Sequence, residues 1–129
     1  MANQDDVRGI ALRLPEATED DRGFQFRVRG KAFAWPWLER SSPKARRVPN
    51  PEVIAVRVAG EDTKDALLAL DEDVFFSEPH YDGYPAVLIR LPAIDLELLR
   101  EVLTEAWRCQ APKRLVRAFD ADIPADGGG

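Results

Sequence analysis

Cysteine and histidine are almost missing: the 129 residues hold one of each, Cys109 and His80. A single cysteine excludes a disulfide framework within the chain and suits a reducing compartment. One of each also excludes a closed zinc site built from Cys and His alone. No apolar run approaches the ~20 residues that a bilayer span requires. The opening residues, MANQDDVRGI, are polar and acidic where a secretory signal would be basic and then apolar. These absences point to a cytoplasmic protein without a membrane role. Positive charge is also in deficit, with 18 Lys and Arg against 23 Asp and Glu, a net charge of −5. A globally acidic chain is a poor non-specific binder of polyanions.

What is present is ordinary globular composition, 45% hydrophobic and 32% charged. The length suits one domain with one real core. We expect that domain over residues 1–119, followed by a flexible tail, 120–129, with little to bury. Charge is unevenly spread. Residues 31–60 carry a net +4, and residues 61–79, next in the chain, a net −6.

Periodicity orders the elements. Val7, Ile10, Ala11 and Leu14 follow helical spacing, which predicts a helix over 3–13 that ends before Pro15. Residues 16–23 read as a polar loop. Phe24, Phe26 and Val28 alternate with polar residues, and after Gly30 so do Phe33, Trp35 and Trp37, the pattern of a β-hairpin. Phe33, Trp35 and Trp37 then share one strand face, which is either core or a stacking surface. Residues 39–52, with three prolines and four basic residues, read as a 14-residue unstructured connection, long enough to suggest function or mobility. A third strand follows over 53–58. Asp62 or Thr63 caps a short helix carrying Ala66, Leu67 and Leu70. Residues 74–76 form a fourth strand, 77–85 a turn and 86–91 a fifth strand. Asp95 caps a helix with a core face of Leu99, Val102, Leu103 and Ala106, and Leu96 one turn earlier. Pro112 opens a last helix that packs Leu115 and Phe119. The fold class implied is α+β: a two-layer sandwich with an antiparallel sheet of about five strands and helices on one face.

Several motifs bear on chemistry. Ser77, His80 and Asp82 contain the residue types of a catalytic triad, but they lie within six residues of one strand and turn. Triads converge from separate segments, so we expect no catalysis and a structural or ligand-contacting histidine. Asp71 and Asp73 begin like a calcium loop, which Phe75 and Phe76 then break. Trp35 and Trp37 precede Arg40, Lys44, Arg46 and Arg47. Aromatic faces can stack bases while flanking cations hold phosphates. Lys113 and Arg114 fall in the first turn of the last helix, where outward amides and two cations suit an anion. The alternative is that they pair with carboxylates such as Glu101 or Glu105.

The runs VRGKAFAW (28–35), DVFFSEPHYDGYPAVLIRL (73–91) and EAWRCQAPKRL (105–115), with ALRLPEATE (11–19) after the opening helix, resemble the MmcQ/YjbR family of small bacterial proteins. The resemblance spans roughly residues 5–119. It implies a frataxin-like α+β fold, a cytoplasmic setting, and DNA binding through paired hairpins, without established catalytic chemistry. By fold analogy alone it raises iron, for which Asp5, Asp6, Glu16, Glu19, Asp20 and Asp21 would supply carboxylates near the first helix.

The expectation is therefore a non-enzymatic binding protein without a cofactor. Its ligand would be DNA or another phosphate-bearing molecule, contacted through Trp35, Trp37, Arg40, Lys44, Arg46, Arg47, His80, Lys113 and Arg114. The alternative is a protein-interaction or self-associating module that uses the acidic 61–79 segment.

Overall fold

The computed structural model describes residues 1–21, 23–39 and 42–122. Six strands form one open antiparallel sheet: β1 (Ala17–Glu19), β2 (Phe26–Val28), β3 (Lys31–Glu39), β4 (Val48–Arg57), β5 (Phe75–Phe76) and β6 (Ala86–Arg90), in the order β1-β2-β3-β4-β6-β5. Four α-helices accompany it among the described residues: α1 (Gln4–Ala11), α2 (Glu61–Leu70), α3 (Leu96–Gln110) and α4 (Lys113–Asp122).

All four helices contribute side chains to a single core on one face of the sheet. Phe26, Phe33, Ile54, Val56, Val87 and Ile89 from the strands meet Val7 and Ala11 of α1 and Leu99, Leu103, Ala106 and Trp107 of α3. Leu67 and Leu68 of α2 and Leu115, Val116 and Phe119 of α4 pack at its margin. Trp107 is fully buried, and its indole N–H donates to the Pro15 carbonyl at 2.9 Å. Burial of a large aromatic ring with its polar atom satisfied is worth several kcal/mol on truncation.

Capping follows the local sequence at α1 and α3. Asn3 and Asp6 form a reciprocal capping box, and the Asp95 carboxylate accepts from the Leu98 amide at 2.8 Å. Helix α2 differs from expectation. It starts at Glu61 after Gly60, with no side-chain cap, so Asp62 and Thr63 lie within its first turn. Glu61 and Asp62 there complement the helix dipole instead. Its Leu67 and Leu68 face the core, whereas Ala66 and Leu70 are exposed. Leu96 of α3 is exposed as well. Pro112 is the residue before α4 rather than its first, and its carbonyl accepts from Val116.

Three strand features depart from the sequence pattern. The segment read as a loop at 16–23 contains β1, whose Ala17 pairs with Val28 and Glu19 with Phe26. The connection read over 39–52 is strand at both its ends, at Glu39 and from Val48 onward, because Glu39 pairs with Val48 and Leu38 with Pro49. The described residues of the hairpin tip are 42–47. Thirdly, Phe26 pairs with Ala34 but Arg27 with Ala32, leaving Phe33 as an extra bulged residue. Phe33 and Ala34 both enter the helix-side core, and the tryptophans that follow fall on the opposite face. Phe33 therefore does not share a face with Trp35 and Trp37. The β2–β3 turn itself is as the glycine predicts: Arg29 and Gly30 have φ of 51° and 84°, the signs a two-residue type I′ turn demands.

Helix α4 continues through Asp122, so the first residues assigned to the tail are helical. Residues 123–129 lie outside the described residues.

Candidate functional site

The sheet face away from the helices carries a second, smaller cluster. Trp37, Val53, Ala55, Tyr81 and Leu88 are buried in it, with Trp35 and Phe76 partly covered. No α-helix contributes a core residue to this cluster among the described residues. Its outer cover is the 77–85 segment, which turns through a short 3₁₀ helix, Pro79–Tyr81, and lays His80, Tyr81 and Tyr84 beside the two tryptophans.

The rings form a continuous array. Tyr81 stacks on Tyr84 at 5.7 Å between centroids with an interplanar angle of 22°. Trp35 meets both tyrosines edge-on, and Trp37 lies 5.4 Å from Tyr81 and 6.2 Å from His80. Such offset and edge contacts suit the quadrupoles of the rings. Polar ends are satisfied within the array: the Trp35 indole N–H donates to the Tyr81 hydroxyl at 2.8 Å, and the Trp37 indole N–H donates to the Glu39 carboxylate at 3.1 Å. Burial pushes the Tyr81 phenol above its ordinary range, with the Trp35 donor pulling the other way, so it stays a neutral hydroxyl at neutral pH.

Lys64 anchors the aromatic turn from below. It is the sole cation of the acidic 61–79 block, yet only 4% of it is exposed. Its ammonium donates to the Tyr81 carbonyl at 2.6 Å and to the Tyr84 carbonyl at 2.9 Å. Two carbonyls from one turn thus share one buried charge, which ties α2 to the turn.

Trp35, Trp37, His80 and Tyr81, with Arg47, line a recess of about 280 Å³. Arg47 donates to the Leu38 carbonyl at 3.2 Å, a neutral partner, and forms no ion pair with a described residue. Lys44 and Arg46 are exposed on the same hairpin tip. Arg40, the fourth cation expected there, lies outside the described residues. Across the sheet at β5 the border changes. Arg90 sits over the Phe76 ring at 4.1 Å, and Glu39, Glu52 and Glu78 line the adjoining depression. Cations therefore border the aromatic array on both sides, Lys44, Arg46 and Arg47 at the hairpin and Arg90 at β5, where Glu39, Glu52 and Glu78 accompany it.

The structure unites Trp35, Trp37, Arg47 and His80, with Lys44 and Arg46 nearby in the chain. It does not bring Lys113 and Arg114 to them. Those two open α4, whose apolar side chains pack in the helix layer, and Arg114 borders a surface depression with Glu16 and Arg29. Neither forms an ion pair with a described residue; Glu105 pairs with Arg108 at 3.0 Å instead. Ser77, His80 and Asp82 form no hydrogen-bonded relay, and the buried Ser77 hydroxyl has no partner among the described residues. Of the carboxylates around α1, Asp6 caps the helix, Glu19 pairs with Arg8 at 2.8 Å, Asp20 with Arg27 at 3.5 Å, and Glu16 with Arg29. Tyr81 and Tyr84, beside which ring packing was expected for His80, and Lys64 were absent from the expected site residues. The visible signals were two tyrosines bracketing DG and one lysine within an acidic run.

A profile of the YjbR family matches residues 12–109, from the end of α1 almost to the end of α3. The chain belongs to the YjbR family. That span contains the whole sheet and the aromatic turn. The uncharacterised proteins Rv2570 of Mycobacterium tuberculosis and Mb2600 of Mycobacterium bovis are each 42% identical over 128 residues, covering 95% of this chain and 98% of theirs. The crystal structure of Deinococcus radiodurans protein DR2400, with a DUF419 domain, superposes with a TM-score of 0.53 at 18% identity, over 83% of this chain and 77% of that one. It supports the α+β fold of this YjbR chain and nothing finer.

Proposed function

We propose that this YjbR protein is a non-enzymatic binding protein for single-stranded nucleic acid, using the aromatic face of its sheet that lies away from the α-helices. The observation that carries the reading is one of placement. Trp35, Trp37, His80 and Tyr84 stand together on the sheet face to which no described α-helix contributes, beside Lys44, Arg46 and Arg47, which form no ion pair with a described residue. An acidic protein gains little from long-range attraction to phosphates, so affinity must come from short-range contact. Base stacking on aromatic rings supplies it at about 1–3 kcal/mol per base. Bases in an intact duplex hide their faces from such a surface, which favours a single strand. Tyr84, 43% exposed, and the exposed His80 offer rings to the first bases, while Arg47, Arg46 and Lys44 hold the phosphates beside them.

The test is fluorescence anisotropy with labelled oligo-deoxythymidine and its duplex across a salt series. We expect the single strand to bind more tightly than the duplex. Arg46→Ala with Arg47→Ala should weaken binding and flatten the logarithmic salt slope by roughly 1.4 units, at about 0.7 per phosphate on a single strand. His80→Ala with Tyr84→Ala should weaken binding with the slope unchanged. Equal affinity for duplex and single strand, or no binding at low salt, rejects this reading.

The acidic segment supports a second reading, a basic protein partner. Six of its seven carboxylates, Glu61, Asp62, Asp65, Asp71, Glu72 and Asp73, are exposed, and its one lysine is turned inward. Retention of a protein whose release follows salt and is indifferent to nuclease would favour it.

A further inference from the structure

Between α2 and α3, on the helix side of the sheet, lies a groove of about 270 Å³. Val58, Leu67, Leu70, Leu98 and Val102 give it apolar walls, and Arg57 and Cys109 are among its polar lining. Leu70 is 61% exposed at its margin, an apolar side chain that α2 leaves uncovered. Arg57 ends β4. Its Nε–H is buried and meets no acceptor among the described residues, and none of the ion pairs among them includes it. Its guanidinium carbon lies 6.0 Å from the Tyr84 ring centre.

We propose that this groove binds a small amphipathic monocarboxylate, an aliphatic or aryl acid, with the carboxylate on Arg57 and the apolar body between α2 and α3. Arg57 is the one cation among the described residues that line the groove, and a bound carboxylate would supply the ion pair its guanidinium lacks among them. Guanidinium and carboxylate match in shape and charge and form two parallel hydrogen bonds. The groove's own carboxylates do not serve: Glu105 is held by Arg108, and the exposed Glu101 forms no ion pair with a described residue. The volume sits at the small end for ligand pockets, so a medium-chain acid fits and a long-chain lipid does not. Arg57 also acts on the Cys109 thiol, which burial pushes above its ordinary range and which the guanidinium draws down, so the cation's field reaches into the groove.

Octanoate is the probe, followed by amide NMR titration of the full chain with octylamine as the control. Saturable shifts should centre on Val58, Leu67, Leu98 and Cys109 for octanoate, and octylamine should not produce them. Arg57→Gln should weaken octanoate by at least about tenfold. Leu70→Asp alters only an exposed side chain and puts a carboxylate at the margin of the groove. It should weaken octanoate in a protein whose remaining spectrum is unchanged. Equal binding of octylamine, undiminished octanoate affinity in either variant, or shifts confined to the aromatic face of the sheet would overturn the proposal.

Discussion

Lys64 is the residue on which the candidate site depends most. Buried lysines are rare because their charge is expensive to desolvate. This one is compensated by two carbonyls that only the 77–85 turn provides. Lys64→Met keeps the length and apolar stem but leaves both carbonyls unsatisfied. We expect a loss of about 3 kcal/mol in urea unfolding, since hydrogen bonds to charged groups contribute roughly 1.5–3 kcal/mol each. Tyr81 and Tyr84 should lose their fixed side-chain signals as the turn loosens. A stability change below about 0.5 kcal/mol would show that water replaces the ammonium without cost. Helical spacing assigns this position to neither core nor surface with any force. The informative feature was chemical, a single cation among seven carboxylates.

At the scale of elements, α1 is bound to β1 through Glu19. Its carboxylate accepts from the Arg8 guanidinium at 2.8 and 2.9 Å and from the Phe24 amide at 2.8 Å. The hydrogen bond from Arg8 holds the Glu19 carboxyl below the usual carboxylate range, burial opposes this, and the Phe24 amide adds to it. A carboxyl depressed in the folded state stabilises above its unfolded value, about 4.3 for Glu, and that stabilisation is lost as pH falls through the folded value. Wild-type stability should therefore drop on acidification below about pH 4.3, and Glu19→Gln should drop less steeply while starting lower at neutral pH. Parallel pH profiles from denaturant melts would refute the link.

Most elements were legible because their apolar spacing is regular, as in α3, where Leu99, Val102, Leu103 and Ala106 are all buried. The misreadings share physical causes. Strand β1 has three residues and no apolar alternation, so only its pairing with β2 reveals it. Prolines 49 and 51 suggested a loop, but the register of β3 and β4 shifts between Pro36 and Leu38 and accommodates them. The bulge at Phe33 breaks a period-two pattern that looks perfect in the sequence. That bulge decides which face the tryptophans occupy, and so whether they are core or candidate site.

For the molecule as a whole, the sheet divides two chemistries. One face is sealed by four helices. The other carries aromatic rings covered only by a turn, bordered by Arg47 at the hairpin and by Arg90 with three glutamates toward β5. Family and fold were accessible from the sequence, since the runs that resemble the MmcQ/YjbR family span the same sheet that the profile matches. The assembly of the site was accessible only in part. His80 and Trp37 meet across 43 residues of chain, a distance that no local pattern encodes. Lys113 and Arg114 looked equally suited to phosphate, and the fold places them with the helix layer. Among the described residues no helix is long and apolar enough to cross a membrane.

The aromatic face is the proposed binding surface. Its most direct test is an NMR titration of the labelled protein with oligo-deoxythymidine, read at the indole N–H groups of the three tryptophans. The Trp35 and Trp37 signals should move saturably, together with the amides of His80 and Tyr84, while the Trp107 indole, buried in the helix-side core, stays in place. Movement of Trp107 with Lys113 and Arg114, and none at Trp35, Trp37, His80 or Tyr84, would contradict it.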